Sequence, residues 1–234
     1  MKMTAGFIEK VMDIVSNTLG VMAEDAKELY ADEEILDGMS PDESHIYVDV
    51  ENQIEIDTCY TDCGMTKLVI FDRDFPYVIK LPFTGLFRSE YNEDRLDYED
   101  PIIVCGTNRN IIDEEMAMID NIPAKIAELL VPNVYVGSFG AIPVYIQKKI
   151  CGEYPRCTSS SRSIEYVDER GNYEEEFVDS LINRFGIQGA LDRIDTMDTY
   201  LEDLHKGNYG YDKFGNCWIY DYGGYDSSMW EWRH

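Results

Sequence analysis

The stretch "DLHKGNYGYDKFGNCWIYDYGG", residues 203–224, decides how this chain is read. It is rich in Gly and Tyr where a closing helix would be expected, and it spaces three polar residues: Asp203, Asn208 five positions on, and Asp221 thirteen beyond that. Gly215 and Asn216 predict a tight turn, and the β-rich "CWIY" after them predicts a returning strand. The resulting hairpin would bring Asp221 face to face with Asn208. A carboxylate and a carboxamide held that way form an oxygen pair suited to Mg²⁺, which prefers few protein ligands and keeps room for phosphates. Taken singly, Asp and Asn in such a segment would be turn residues.

Outward from this stretch the texture changes in blocks. Residues 5–30 carry apolar side chains at Phe7, Ile8, Val11, Met12, Ile14, Val15, Leu19 and Met22, a helical stripe expected to break near Gly20. From 45 to 83 short β-branched and aromatic runs alternate with Gly, Asp and Pro, which predicts an antiparallel meander. Together with "NVYVGSFG" and "IPVYIQKKI", over 134–150, it is expected to form one sheet of about five strands. Residues 89–100 read as an acidic loop. Residues 111–130 suit a helix that Pro123 should kink or split. A Gly/Pro/Ser-rich connection follows from 152 to 163, then helical sequence over 173–202 with Gly186 and Gly189 marking a break. The fold class is therefore α+β, organised as a helical N-terminal extension over 1–44, a β-rich lobe over 45–151 and a small helical lobe over 152–234.

Composition excludes several functions. The 234 residues are 44% hydrophobic and 12% aromatic, which is the make-up of a folded chain, and 46 acidic against 20 basic residues give a formal charge of −26. Direct binding to nucleic acid is not expected, because neutralising phosphates needs a concentrated Lys/Arg face. An acidic surface suits a basic protein partner, including a nucleic-acid enzyme whose polyanion it would imitate, or serves solubility alone. No apolar run reaches the 18 residues needed to span a bilayer, no signal peptide is recognisable, and six scattered cysteines predict reduced thiols in a cytoplasm.

Contiguous "DLHKGN" followed by "IYDYGG" resembles the protein-kinase-like superfamily, whose catalytic loop ends in Asn and is followed by D-F-G. The "DLHxxN" form is similar to that of small-molecule kinases and of small bacteriophage-encoded Ser/Thr kinase-like proteins. The resemblance covers about residues 50–226 and implies a bilobal fold with a β-rich N-lobe and a reduced helical C-lobe. It implies Asp203 as catalytic base and Asn208 and Asp221 as metal ligands. "YVIK" resembles V-A-I-K of the third strand, which implies that Lys80 reaches the α/β-phosphates of ATP and pairs with a Glu on the next helix. Glu115 is chosen over Glu114 because Met118 and Ile119 lie on its face. "DCGMTK" stands where a glycine-rich loop would be, so Gly64, Thr66 and Lys67 are the phosphate-loop candidates. Lys149, Ile150 and Cys151 occupy the hinge where backbone groups would meet adenine. Leu201 and Glu202 stand where His and Arg usually precede the base, and only thirteen residues follow Asp221, short of a full activation segment.

The implied activity is ATP- and Mg²⁺-dependent phosphoryl transfer to a protein, on Ser or Thr, in the cytoplasm, or in the host cytoplasm if the chain is phage-encoded. The alternative is a catalytically weak kinase-like binding module whose acidic surface engages a basic partner. His205 is expected to brace its loop rather than act as a base.

Overall fold

A computed structural model describes residues 3–30, 45–49, 55–56, 59–63, 67–82, 86–92, 97–98, 102–103, 110–150, 174–201, 204 and 207–222. These residues form a mixed α+β structure that divides into two units. The first comprises Met1–Ile112 with Val134–Gln147, and the second Asp113–Asn133 with Lys148–His234.

The first unit is built on helix α1 (Ala5–Tyr30) and two sheets. One sheet has six strands in the order β2 (Glu55–Ile56), β3 (Cys59–Cys63), β4 (Leu68–Asp72), β5 (Tyr77–Leu81), β10 (Ile142–Lys148) and β9 (Asn133–Phe139). The β2–β3, β3–β4 and β4–β5 pairs are antiparallel, with Val69 opposite Lys80 and Ile70 opposite Ile79. Between β4 and β5, Asp72 makes the turn expected at "DRD": its side chain accepts the Asp74 amide at 2.7 Å and its carbonyl the Phe75 amide at 3.2 Å.

Two expectations change here. First, β1 (His45–Asp49) does not join the main sheet. It pairs with β6 (Leu86–Asn92), His45 opposite Glu90, in an antiparallel four-stranded sheet that also holds β7 (Asp97–Tyr98) and β8 (Ile102–Ile103). The acidic segment 89–100 thus contributes strand residues at 89–92 and 97–98; its other residues lie outside the described ones. Backbone pairing across 45 residues overrides the low β-propensity of its charged side chains. Second, α1 runs through Gly20 without a break. Gly20 is on the exposed side, where it costs about 1 kcal/mol relative to Ala, while Leu19 and Met22 beside it are buried.

The apolar stripe of α1 packs on the six-stranded sheet. Val11, Val15 and Met22 share one core with Leu68, Ile70 and Leu81, and Phe87 of β6 joins it. Phe7, Phe75 and Tyr77 form a triangle of rings with centroids 5.5–5.7 Å apart, fastening the start of α1 to the β4–β5 turn.

The second unit contains α2 (Ile111–Ile119) from Asp113 onward, the single turn α3 (Ala124–Ala127), α4 (Glu175–Tyr200) and the hairpin of β11 (Tyr209–Tyr211) and β12 (Cys217–Ile219). Pro123 splits the 111–130 region as expected: α2 ends at Ile119 and Pro123 caps α3. Helix α4 breaks at Gly186, whose φ of 74° and ψ of 168° are open only to glycine. Phe177, Leu181, Ile126, Ile194, Met197 and Ile219 are among the residues of the separate core of this unit. No helix among the described residues is long and apolar enough to cross a membrane.

Candidate functional site

The hairpin forms where Gly215 and Asn216 predict it, for a visible reason. Asp212 gathers the turn around one carboxylate, accepting from the amides of Phe214 (2.8 Å) and Asn216 (3.1 Å), the Asn216 side chain (3.1 Å) and the Trp218 indole (3.0 Å). Gly215 supplies the left-handed residue, φ 81°. Burial alone would raise the Asp212 carboxyl, but these donors outweigh it, beginning with Trp218 and Asn216, and hold it down to about 2.

Where the strands end, Asn208 meets Asp221. The Asn208 carbonyl accepts the amides of both Tyr220 (2.9 Å) and Asp221 (3.2 Å), which fixes the two residues beside each other at the open end of the hairpin. Asn208 is buried and Asp221 half-exposed. Asp221 and Tyr222, with Leu201 and Leu204, line a shallow recess with essentially no room for a water-sized molecule. It is not by itself a small-molecule site, which spans roughly 300–1,000 Å³. Leu201 and Leu204 bracket Asp203 in sequence; Asp203 itself lies outside the described residues, as do His205, Gly64, Thr66 and Cys151.

Two further elements anchor the hairpin. Helix α4 reaches it through Ser180, whose buried hydroxyl donates to the Gly215 carbonyl and accepts the Cys217 amide, both at 2.7 Å. The segment after α3 runs parallel to β12: Ile219 donates to Leu129 O at 2.9 Å, and Val131 donates to Ile219 O at 2.8 Å. Ile150 also lies against it. A Cβ at Gly210 would sit 3.5 Å from Ile150 Cγ2 and 3.3 Å from the Tyr220 ring, so glycine there permits close approach. Ile150 of the expected hinge thus neighbours the strand that leaves Asn208. Lys149 is half-buried.

Glu115 and Glu114 differ as their neighbours suggest. Glu115 is fully buried on α2 and Glu114 half-buried. Glu115 Oε2 accepts a hydrogen bond from Asn133 Nδ2 at 2.7 Å. Tyr222, also buried, donates its hydroxyl to Val131 O at 3.0 Å. Burial raises the Tyr222 hydroxyl above the ordinary range, and the charge of Glu115 adds to the rise. Asn133, Ser180 and Tyr222 are the contributors that the residue-by-residue reading missed. Tyr222 is the Tyr of "DYGG", whereas nothing local in the sequence marks Asn133 or Ser180.

Lys80 belongs to the first unit, on β5, and is 2% exposed. Lys67, at the entry to β4, is also buried. The second unit brings Asn208, Asp221 and Ile150 to one hairpin, and carries Glu115 on α2. Among the described residues no three His, Cys, Asp or Glu side chains come together as a metal cluster. Asn208 and Asp221, adjacent through their backbones, are the residues for which a cation-ligand role can be considered. No protein-family model matches this chain, and no curated protein matches it.

Proposed function

We propose that the chain is a protein-kinase-like phosphotransferase that uses ATP and Mg²⁺ and modifies a protein on Ser or Thr. The observation that carries this reading is the pairing of Asn208 with Asp221, because the hairpin joins the last residue of "DLHKGN" to the first of "DYGG". The residue types fit the metal: a carboxylate and a carboxamide are hard oxygen ligands, few in number. Bound Mg²⁺ would neutralise charge on the nucleotide phosphates. In this reading Asp203 accepts the proton of the acceptor hydroxyl, and Asp221 and Asn208 hold the metal. Lys80 neutralises the α/β-phosphates and Glu115 orients it. Gly64, Thr66 and Lys67 contribute to the phosphate loop, and Lys149, Ile150 and Cys151 contribute to the adenine side.

The charge of −26 favours a second reading, a kinase-like module that captures a basic partner. Purified protein incubated with γ-labelled ATP, Mg²⁺ and a cell extract separates the two. Label on an extract protein, lost in Lys80→Ala, is the kinase outcome. No label, with partner capture that survives Lys80→Ala and falls steeply up to physiological salt, where the Debye length is about 8 Å, is the capture outcome.

A further inference from the structure

The three residues Val131–Pro132–Asn133, which lead from α3 into β9, touch both Glu115 and the residue that follows Asp221. Asn133 donates to the fully buried Glu115 at 2.7 Å, and Val131 accepts from Tyr222, the residue after Asp221, at 3.0 Å while its own amide donates to Ile219 of β12. We infer that Asn133 is a positioning residue for Glu115, and that the 131–133 segment sets Glu115 in register with the Asp221–Tyr222 segment. Its catalytic meaning rests on the phosphotransferase reading; the clamp itself does not.

The chemistry of the bond supports a dedicated role. A carboxylate only accepts, so Asn133 must turn its NH₂ toward Glu115; the reversed amide would set oxygen against oxygen. In this orientation Asn133 Oδ1 is buried with no hydrogen-bond partner among the described residues. Buried carboxamides seldom leave an acceptor unmet. The side chain is therefore held for what it does to Glu115 and not for its own satisfaction.

A role in donation makes a different forecast from a role in filling space. Asn133→Asp preserves volume but opposes two carboxylates, so it should be worse than Asn133→Ala. We expect the unfolding midpoint to fall by on the order of 10 °C for Asp and about half that for Ala. Adding Glu115→Gln to Asn133→Asp restores a donor facing an acceptor, with the polarity reversed, and should recover most of the lost midpoint. In the transfer assay Asn133→Ala should lower kcat about tenfold and change KM for ATP less than threefold. The reversed pair should remain inactive because the charge of Glu115 is gone. Asn133→Asp that is milder than Asn133→Ala, or a reversed pair no more stable than Asn133→Asp alone, would overturn the inference. A complete rescue of the midpoint in a protein whose wild type neither binds nor uses Mg²⁺·ATP would reject the phosphotransferase reading and leave the clamp standing.

Discussion

The two units hold their polar residues in opposite ways. Lys80 is carried by strand register: β5 is zipped to β4 residue by residue, and the sheet beneath it is filled by α1. Asn208 and Asp221 are carried by a hairpin with strands of only three residues each, kept in place by a small number of individual hydrogen bonds. A two-stranded ribbon is marginal on its own. Its position is therefore borrowed from Asp212, Ser180 and the 129–131 segment. The lesson is that a site residue on a sheet is protected by many weak contacts, whereas one on a short hairpin depends on particular partners.

This contrast can be broken from the strong side first. Ile70→Ala removes a fully buried side chain from the first core and should cost about 2–5 kcal/mol in denaturant unfolding. Because the two cores are separate, exchange of the Asp221 amide with solvent should change little below the global unfolding limit. Faster exchange at Asp221, matching that of β4, would dissolve the distinction.

Next in size is Ser180→Ala. It deletes one hydroxyl yet orphans two buried backbone groups, the Gly215 carbonyl and the Cys217 amide, for a loss of about 2–4 kcal/mol. Here the Cys217 and Asp221 amides should lose protection together while those of β4 and β5 keep theirs.

Asp212→Ala comes third, at about 1–3 kcal/mol, and its effect has a pH signature. The folded carboxyl is held down to about 2, below its ordinary value of about 4, so its contribution is fully present above pH 4 and is lost as pH falls toward 2. Unfolding curves of wild type and variant should differ at pH 6 and converge near pH 2. A constant difference across that range would show that the bonds to Trp218 and Asn216 are not what lowers the carboxyl.

Gly215→Ala is expected to have the smallest effect, roughly 1–2 kcal/mol, because it only forces a side chain into the left-handed region. Asn should be tolerated better than Ala there. Equal costs would argue that the turn relaxes.

How much of this was legible in the sequence follows the same contrast. The hairpin and the meeting of Asn208 with Asp221 could be read because turn chemistry and a spacing of thirteen are local signals. So could the Asp72 turn, the split at Pro123 and the break at Gly186, all of which rest on backbone preferences of single residues. The β1–β6 pairing could not, since its partners are 45 residues apart at His45 and Glu90 and β6 carries Arg88 and Glu90 among its seven residues. Asn133 and Ser180 were invisible for a related reason. Each is one polar residue whose partner stands 18 or 35 positions away, and no periodicity marks it.

The central claim is that Asp203 and Asp221 act on different molecules, the acceptor and the metal–nucleotide. It is tested most directly by measuring Mg²⁺·ATP affinity and label transfer side by side for Asp203→Asn and Asp221→Asn. The account expects Asp203→Asn to bind Mg²⁺·ATP within about threefold of wild type and transfer at least a hundredfold more slowly, given the usual worth of a general base. It expects Asp221→Asn to lose affinity itself, by tenfold or more, because a metal-ligand charge is gone. Wild-type transfer rates in both variants would contradict it.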